Sequence, residues 1–152
     1  MNVIYILWLR QLKRYARSRA RVVGSLGQPI LFLVALGFGF GPIFERAGGG
    51  DYIQFLAPGV IAMSVLLTSM FTGIDLIWDK RLGFLKETLV APVSRLQIVL
   101  GRTLGGATVG VIQGLLVFIL TLVIGFRPEN PWLMPMALVF VFLIALLFTS
   151  LG

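Results

Sequence analysis

The sequence predicts an all-α polytopic membrane protein, in which an N-terminal amphipathic helix precedes four transmembrane helices. Two observations support this fold class. Hydrophobic residues make up 58% of the chain and charged residues only 12%, whereas a soluble domain carries about 25% charged residues. The apolar residues are also gathered into four runs, each at least as long as the ~20 residues that a helix needs to cross the hydrocarbon core.

Residues 1–21 predict the amphipathic helix. The segment contains six basic residues and no acidic one. This pattern is typical of a helix that lies in the membrane interface, with its rings toward lipid and its cations toward phosphate. A signal peptide is the alternative, but the basic region is too long and too aromatic, and no small-residue cleavage site follows at the usual distance. The apolar side chains at helical spacing are Tyr5, Trp8, Leu9, Leu12, Tyr15 and Ala16.

The four predicted spans cover residues 22–44, 53–78, 98–126 and 132–152. Pro58 and Gly59, near the start of the second span, indicate a kink or a short re-entrant entry. Trp132 begins the fourth span, where an aromatic ring anchors a helix at the interface. Because the sequence stops inside an apolar run, we expect the chain to be the N-terminal part of a longer protein.

The distribution of Lys and Arg predicts the orientation of the spans. Residues 1–21 contain six of them and residues 79–102 contain five, whereas the turns at 45–51 and 127–131 contain one each. Because basic residues are retained on the cytoplasmic side, the N-terminus and residues 79–97 are predicted to be cytoplasmic. Topology therefore explains the net charge of +7, and we expect no nucleic-acid partner.

Residues 79–97, between the second and third spans, form the candidate coupling segment. As a helix, this segment places its leucines on one side and Lys80, Arg81 and Glu87 on the other. Phe84 lies among these polar side chains, and a large aromatic residue in such a place is the kind that anchors a partner protein. A solvated loop with a stray phenylalanine explains the pattern equally well, so both interpretations stay open.

The second half of the coupling segment predicts a sharp turn. Pro92 blocks continuation of the helix and biases Ala91 toward an extended backbone. Ser94 and Gln97 have the spacing of a capping box, in which the Ser94 hydroxyl accepts from the Gln97 amide. The third span is therefore predicted to start at Ser94, which favours a defined docking shape over a flexible tether.

The third span carries five glycines at intervals that allow another helix to approach closely in lipid. The spacing predicts tight packing within the subunit or a dimer face, and it does not say which helix makes the contact. Chance occurrence of glycines in a membrane helix is the weaker alternative. The residues are Gly101, Gly105, Gly106, Gly110 and Gly114.

The titratable residues exclude several kinds of chemistry. The chain has no Cys and no His, which excludes disulfides, thiol chemistry and imidazole catalysis. The segment Gly101–Thr108 is a near miss to a phosphate-binding loop, but Ala107 stands where the lysine belongs. Asp75 is the one carboxylate within an apolar run. It lies near the cytoplasmic end of its span, so we predict an interfacial role or a structural pair with Arg102 rather than a proton or ion relay.

Two stretches resemble the permease subunits of ABC-2-type transporters, most closely the daunorubicin-resistance and multidrug-export branch of bacteria and archaea. They are YIQFLAPGVIAMSVL at residues 52–66 and LKETLVAPVSRLQIVLGRTLGG at residues 85–106. The most specific element is the V-A-P-V-S-R core, and the similarity runs from about Gln28 to the C-terminus. The approach to the loop, Asp79-Lys80-Arg81, is sparser in acidic residues and arginines than is usual in the family.

The resemblance implies a six-span permease that pairs with a second copy, as a homodimer or a heterodimer, in the plasma membrane. Two cytoplasmic ATPase subunits would bind ATP and Mg²⁺, so the chain itself would be no enzyme and would bind no cofactor or metal. The family's coupling helix, which seats in the ATPase, falls on Lys80, Arg81, Phe84, Leu85, Lys86, Glu87, Pro92, Ser94 and Arg95.

The substrate implied by the resemblance is an amphipathic drug, a lipid or a similar molecule. A polysaccharide or glycolipid export permease of the same superfamily is an alternative. From other classes, an ion-gradient-driven transporter and a non-transporting membrane scaffold also stay open. The ion-driven transporter would need carboxylates deep in the membrane, and only Asp75 is a candidate.

Overall fold

The computed structural model describes residues 3–81 and 94–151, except for the side chains of residues 76, 79 and 80. These residues form helices and no strand. The helices are α1 (Val3–Arg17), α2 (Arg19–Arg46), α3 (Tyr52–Arg81), α4 (Arg95–Ile124) and α5 (Met134–Leu151), and a 3₁₀ turn at Pro131–Leu133 leads into α5.

Four of these segments are long and apolar enough to cross a membrane. They are Arg19–Arg46, Tyr52–Asp75, Arg95–Ile124 and Pro131–Leu151. Large apolar side chains such as Phe38, Phe55 and Val123 are more than 70% exposed, as expected for helices whose outer faces meet lipid tails. The predicted fold class, an all-α polytopic membrane protein, is confirmed.

The helix boundaries follow from local chemistry. Ser94 has an extended backbone and its Oγ accepts from the Gln97 amide at 3.4 Å, so the predicted start of the third membrane helix is confirmed. Gly125 ends α4 with a φ of 122°, a left-handed conformation that glycine adopts without steric cost. Helix α3 runs through Pro58 without interruption. Of the two predicted alternatives, the re-entrant entry is therefore wrong, and the kink stays a prediction.

Helix α4 lies at the centre of the bundle, in contact with α1, α3 and α5 and, less extensively, with α2. Leu33, Val60 and Val117 join α2, α3 and α4 in one buried cluster. A second cluster joins α3, α4 and α5 through Val65, Ala107 and Ala145. Displacement of α4 would therefore disturb every other helix of the described bundle.

Candidate functional site

The ends of α3 and α4 flank the predicted coupling segment. Arg81 is the last residue of α3 and Arg95 the first of α4, and both side chains are exposed. Phe84, Leu85, Lys86, Glu87 and Pro92 lie outside the described residues, as does the side chain of Lys80. The coupling role of this segment therefore stays a prediction.

Helix α1 packs lengthwise on α4, from its first turns to Gln113. Leu7 is buried against Ile98, and the Trp8 Nε1–H donates to Thr108 Oγ1 at 3.0 Å. Further along, the Tyr15 hydroxyl donates to Gln113 Oε1 at 2.6 Å. The contacts advance in the same direction along both helices, so α1 follows α4 for several turns. The beginning of α1 consequently lies beside the first turns of α4, next to the coupling segment.

The predicted orientation of the α1 rings is wrong for Tyr15, which is 8% exposed. Its hydroxyl finds a partner on α4 instead of facing lipid, as buried tyrosine hydroxyls usually do. Tyr5 does remain on the outer side, at 58% exposure. The side of α1 that packs on α4 also includes Ile4, Leu7 and Gln11. Because Gln11 is polar, this side does not stand out as an apolar stripe in the sequence.

The five glycines of α4 divide into two packing faces. A Cβ added at Gly101 would lie 3.0 Å from Leu7 Cβ, and one added at Gly105 would lie 2.8 Å from Gln11 Cβ, so this pair receives α1. Gly106, Gly110 and Gly114 instead face α3 and α5. All five contacts lie within the chain, and small residues at such positions let helix backbones approach closely.

Gln113 is a fully buried polar residue in the middle of α4. Its Oε1 accepts from the Tyr15 hydroxyl, and Ser25 Oγ lies 3.0 Å from the same oxygen. Its Nε2 donates to the Ser25 carbonyl at 3.2 Å. Burial raises the pKa of the Tyr15 hydroxyl, opposed by its hydrogen bond with Ser25, so Tyr15 stays a neutral donor. This network joins α1 and α2, on both sides of the break at Ser18, to α4.

The Gln113→Leu substitution is expected to destabilise the protein by about 1–3 kcal/mol, because it leaves the buried Tyr15 hydroxyl without its acceptor. Tyr15→Phe should cost less, about 1 kcal/mol, since Gln113 keeps its contacts with Ser25. The double variant should lose less than the sum of the two, because both changes break one hydrogen bond. Unfolding midpoints in detergent measure all three, and strict additivity would contradict the network.

Asp75 forms an ion pair at the end of α3 that leads to the coupling segment. Its Oδ2 lies 2.6 Å from Arg21 Nη1, with the two side chains 28% and 47% exposed. Arg102 is 8% exposed and, together with Arg14, lines a small cavity beside Asp75. The ion pair with Arg21 agrees with a structural role for Asp75, and the pairing with Arg102 stays a prediction.

The role of Arg21 could not be found from the sequence, where it is the last of six basic residues in an apparently uniform run. Only the fold distinguishes Arg21 from the other basic residues. Helix α2 starts at Arg19, and its first turn lies close enough to α3 for Arg21 to reach Asp75. No local periodicity links residues 54 positions apart.

Comparison with known proteins gives the family. The chain matches the family described as ABC-2 type transporter over residues 2–152. It is 30% identical to "Nodulation protein J" of Azorhizobium caulinodans, over 95% of this chain and 59% of that protein. It is 29% identical to "Probable doxorubicin resistance ABC transporter permease protein DrrC" of Mycobacterium tuberculosis, over 78% of this chain and 43% of that protein.

The chain spans about half the length of these curated relatives. No solved structure matches it. The match over residues 2–152 agrees with the all-α bundle and with the resemblance carried by the V-A-P-V-S-R core. This chain belongs to the ABC-2 type transporter family of membrane proteins.

Proposed function

We propose that the chain is part of the permease subunit of an ABC exporter, which moves an amphipathic drug, lipid or similar substrate out of the cell. The observation that carries this proposal is the family match over residues 2–152. The relative DrrC is named for doxorubicin resistance, which supports an amphipathic drug as the substrate. The name Nodulation protein J states no substrate, and a polysaccharide or glycolipid substrate is the alternative within the family.

The energy would come from a separate cytoplasmic ATPase, which membership of the ABC-2 type transporter family supports. Closure of the ATPase around ATP and Mg²⁺ would press on the segment from Lys80 to Arg95. Helix α4 begins at the end of this segment, directly after the Ser94 cap. A displacement of the segment would therefore be transmitted directly to α4. Because α1 is bonded to α4 through Thr108 and Gln113, the two helices would move together.

The proposed orientation places the N-terminus and the coupling segment in the cytoplasm, in the plasma membrane of a bacterium or archaeon. The Lys and Arg distribution supports this orientation. Arg81 and Arg95, at the ends of the helices that flank the coupling segment, are exposed, so they can meet water and phosphate. A second permease copy would complete the transport path.

Transport into inverted membrane vesicles tests the proposal. With the ATPase subunit present, we expect uptake of an amphipathic dye to require ATP and to survive collapse of the proton gradient. A partner ATPase with a substituted catalytic glutamate is the control and should abolish uptake. Uptake that persists without ATP and stops when the proton gradient collapses would contradict the proposal in favour of an ion-driven transporter. ATPase activity that never responds to substrate would favour a scaffold.

A further inference from the structure

A groove of about 370 Å³ runs between α2 and α3, beside the end of α1. It lies within a single chain and opens toward the outer face of the bundle, where Met63 and Phe71 are 45% and 65% exposed. A groove of this volume is within the range that binds small molecules. Its position gives lipid direct lateral access.

The groove is charged at one end and mostly apolar along its length, with a few hydroxyl and amide side chains among the apolar ones. Arg21 and Asp75 form its charged rim. Gln28 follows two turns further along α2, about 10 Å from the rim at the rise of an α-helix. Phe32, Met63 and Phe71 supply apolar walls. Phe71 is one turn of α3 from Asp75, whereas Phe32 and Met63 lie further from the rim than Gln28 does. The order of rim, Gln28 and then Phe32 with Met63 matches the headgroup, the ester linkages and the hydrocarbon chains of a membrane lipid.

The rim is prepared to bind an anion. Asp75 accepts from a single nitrogen of Arg21, and a guanidinium carries five N–H donors in a rigid fork that suits phosphate. Arg21 is 47% exposed, so its other donors can be reached. Residues 1–44 contain six basic residues and no acidic one, which makes the surroundings of the rim positive and favours a negatively charged headgroup.

The polar groups inside the groove differ in availability. Ser64 Oγ donates to the Ile61 carbonyl and Thr72 Oγ1 to the Thr68 carbonyl, so both hydroxyl protons are used within α3. Gln28 is exposed and makes no hydrogen bond with any residue of 3–81 or 94–151. Its amide is therefore able to donate to an ester carbonyl of a bound lipid.

We propose that this groove binds one anionic phospholipid, with the phosphate on Arg21, the ester region at Gln28 and an acyl chain along Phe32 and Met63. The ion pair with Asp75 holds the guanidinium in place for the phosphate. A lipid seated here would contact α2 and α3 together. This inference does not depend on the transport proposal, because it requires neither ATP nor a partner subunit.

Lipid binding by the full chain in detergent tests the proposal, with native mass spectrometry as the readout. The probes are phosphatidylglycerol, phosphatidylcholine with the same acyl chains, dodecylamine and inorganic phosphate. We expect one phosphatidylglycerol to bind about tenfold more tightly than phosphatidylcholine. Both lipids offer the phosphate, but the choline cation cancels the headgroup charge and is repelled by the positive rim. Equal binding of the two lipids, tighter binding of dodecylamine, or equally tight binding of free phosphate would overturn the proposal.

Three variants locate the site. Arg21→Gln combined with Asp75→Asn removes both charges without leaving one unpaired, and it should abolish the preference for phosphatidylglycerol. Met63→Trp fills the apolar part of the groove and should weaken the binding of both lipids. Arg10→Gln removes an exposed cation that does not line the groove, and it should change nothing.

The milder Arg21→Lys substitution serves if the double variant fails to fold. Lysine keeps the positive charge but lacks the planar guanidinium fork, so it should reduce the preference for phosphatidylglycerol over phosphatidylcholine severalfold. Unchanged binding in every folded groove variant would overturn the site. So would an equal loss of binding in Arg10→Gln, because it would show that attraction is spread over the basic surface.

Discussion

Gly110→Ala is expected to destabilise the helix bundle by about 1–3 kcal/mol, the usual cost of an added methyl group in a packed core. The new Cβ would lie 2.5 Å from Ser69 Oγ and 2.9 Å from Ala145 Cβ. The Ser69 hydroxyl can rotate away, but the Ala145 methyl has no rotamer through which to move, so α4 and α5 have to move apart. The midpoint of thermal unfolding in detergent measures the effect.

Gly39→Ala is the matched control for this substitution. Gly39 lies inside α2, and no atom is within 4 Å of a Cβ built there. Alanine forms helix better than glycine by up to about 1 kcal/mol, so this variant should be as stable as the parent or more stable. Gly110→Ala is therefore expected to lower the unfolding midpoint, and Gly39→Ala is expected to leave it unchanged or raise it. Equal decreases in the midpoint would contradict the assigned packing of α4.

Reversal of charge in the coupling segment is expected to abolish ATP-driven transport. We expect Arg81→Glu combined with Lys86→Glu, and separately Phe84→Ala, to weaken association with the ATPase. Loss of an interface anchor costs about 2 kcal/mol or more, which is about thirtyfold in affinity. Pull-down of the ATPase and transport into inverted vesicles measure the two consequences.

Controls for this experiment lie elsewhere in the chain. Arg127→Glu reverses a charge in the turn before α5, and Phe38→Ala removes an aromatic ring that is 73% exposed on α2. Both should leave ATPase association intact. If the coupling variants bind the ATPase and transport as well as these controls do, the docking role is wrong.

The features that the sequence predicts correctly are those set by residues close together in the chain. The apolar runs identify four helices that can cross a membrane, and Ser94 identifies the start of α4 because its cap partner is three residues away. Pro58 lies beyond the first turn of α3, where proline removes one helix hydrogen bond and either breaks the helix or kinks it, so the sequence alone does not decide between the two.

The features that the sequence leaves open depend on contacts between distant residues. The place of α1 is set by hydrogen bonds from Trp8 to Thr108 and from Tyr15 to Gln113, about one hundred positions apart. Periodicity shows that α1 has an apolar side, and that side suits lipid and protein equally. Glycine spacing likewise predicts close packing, but the division of the five glycines between α1 and the α3–α5 pair follows only from the fold.

The arrangement of α1 sharpens the functional hypothesis. Its first turns pack against Ile98 and Gly101, directly after the coupling segment. Its last turn reaches the Gln113 network, which also holds α2. A displacement at Arg95 would therefore be carried to α1 and, through Gln113, to the first membrane helix.

Photo-crosslinking from the coupling segment tests the central claim most directly. A photoreactive phenylalanine analogue at position 84 is expected to crosslink to the ATPase subunit in membranes, with a yield that changes when ATP is bound. The same analogue at position 132, where the native Trp132 is 91% exposed before α5, is expected to give no ATPase adduct. No adduct from position 84 in a variant that still transports, or equal adducts from both positions, would contradict the account.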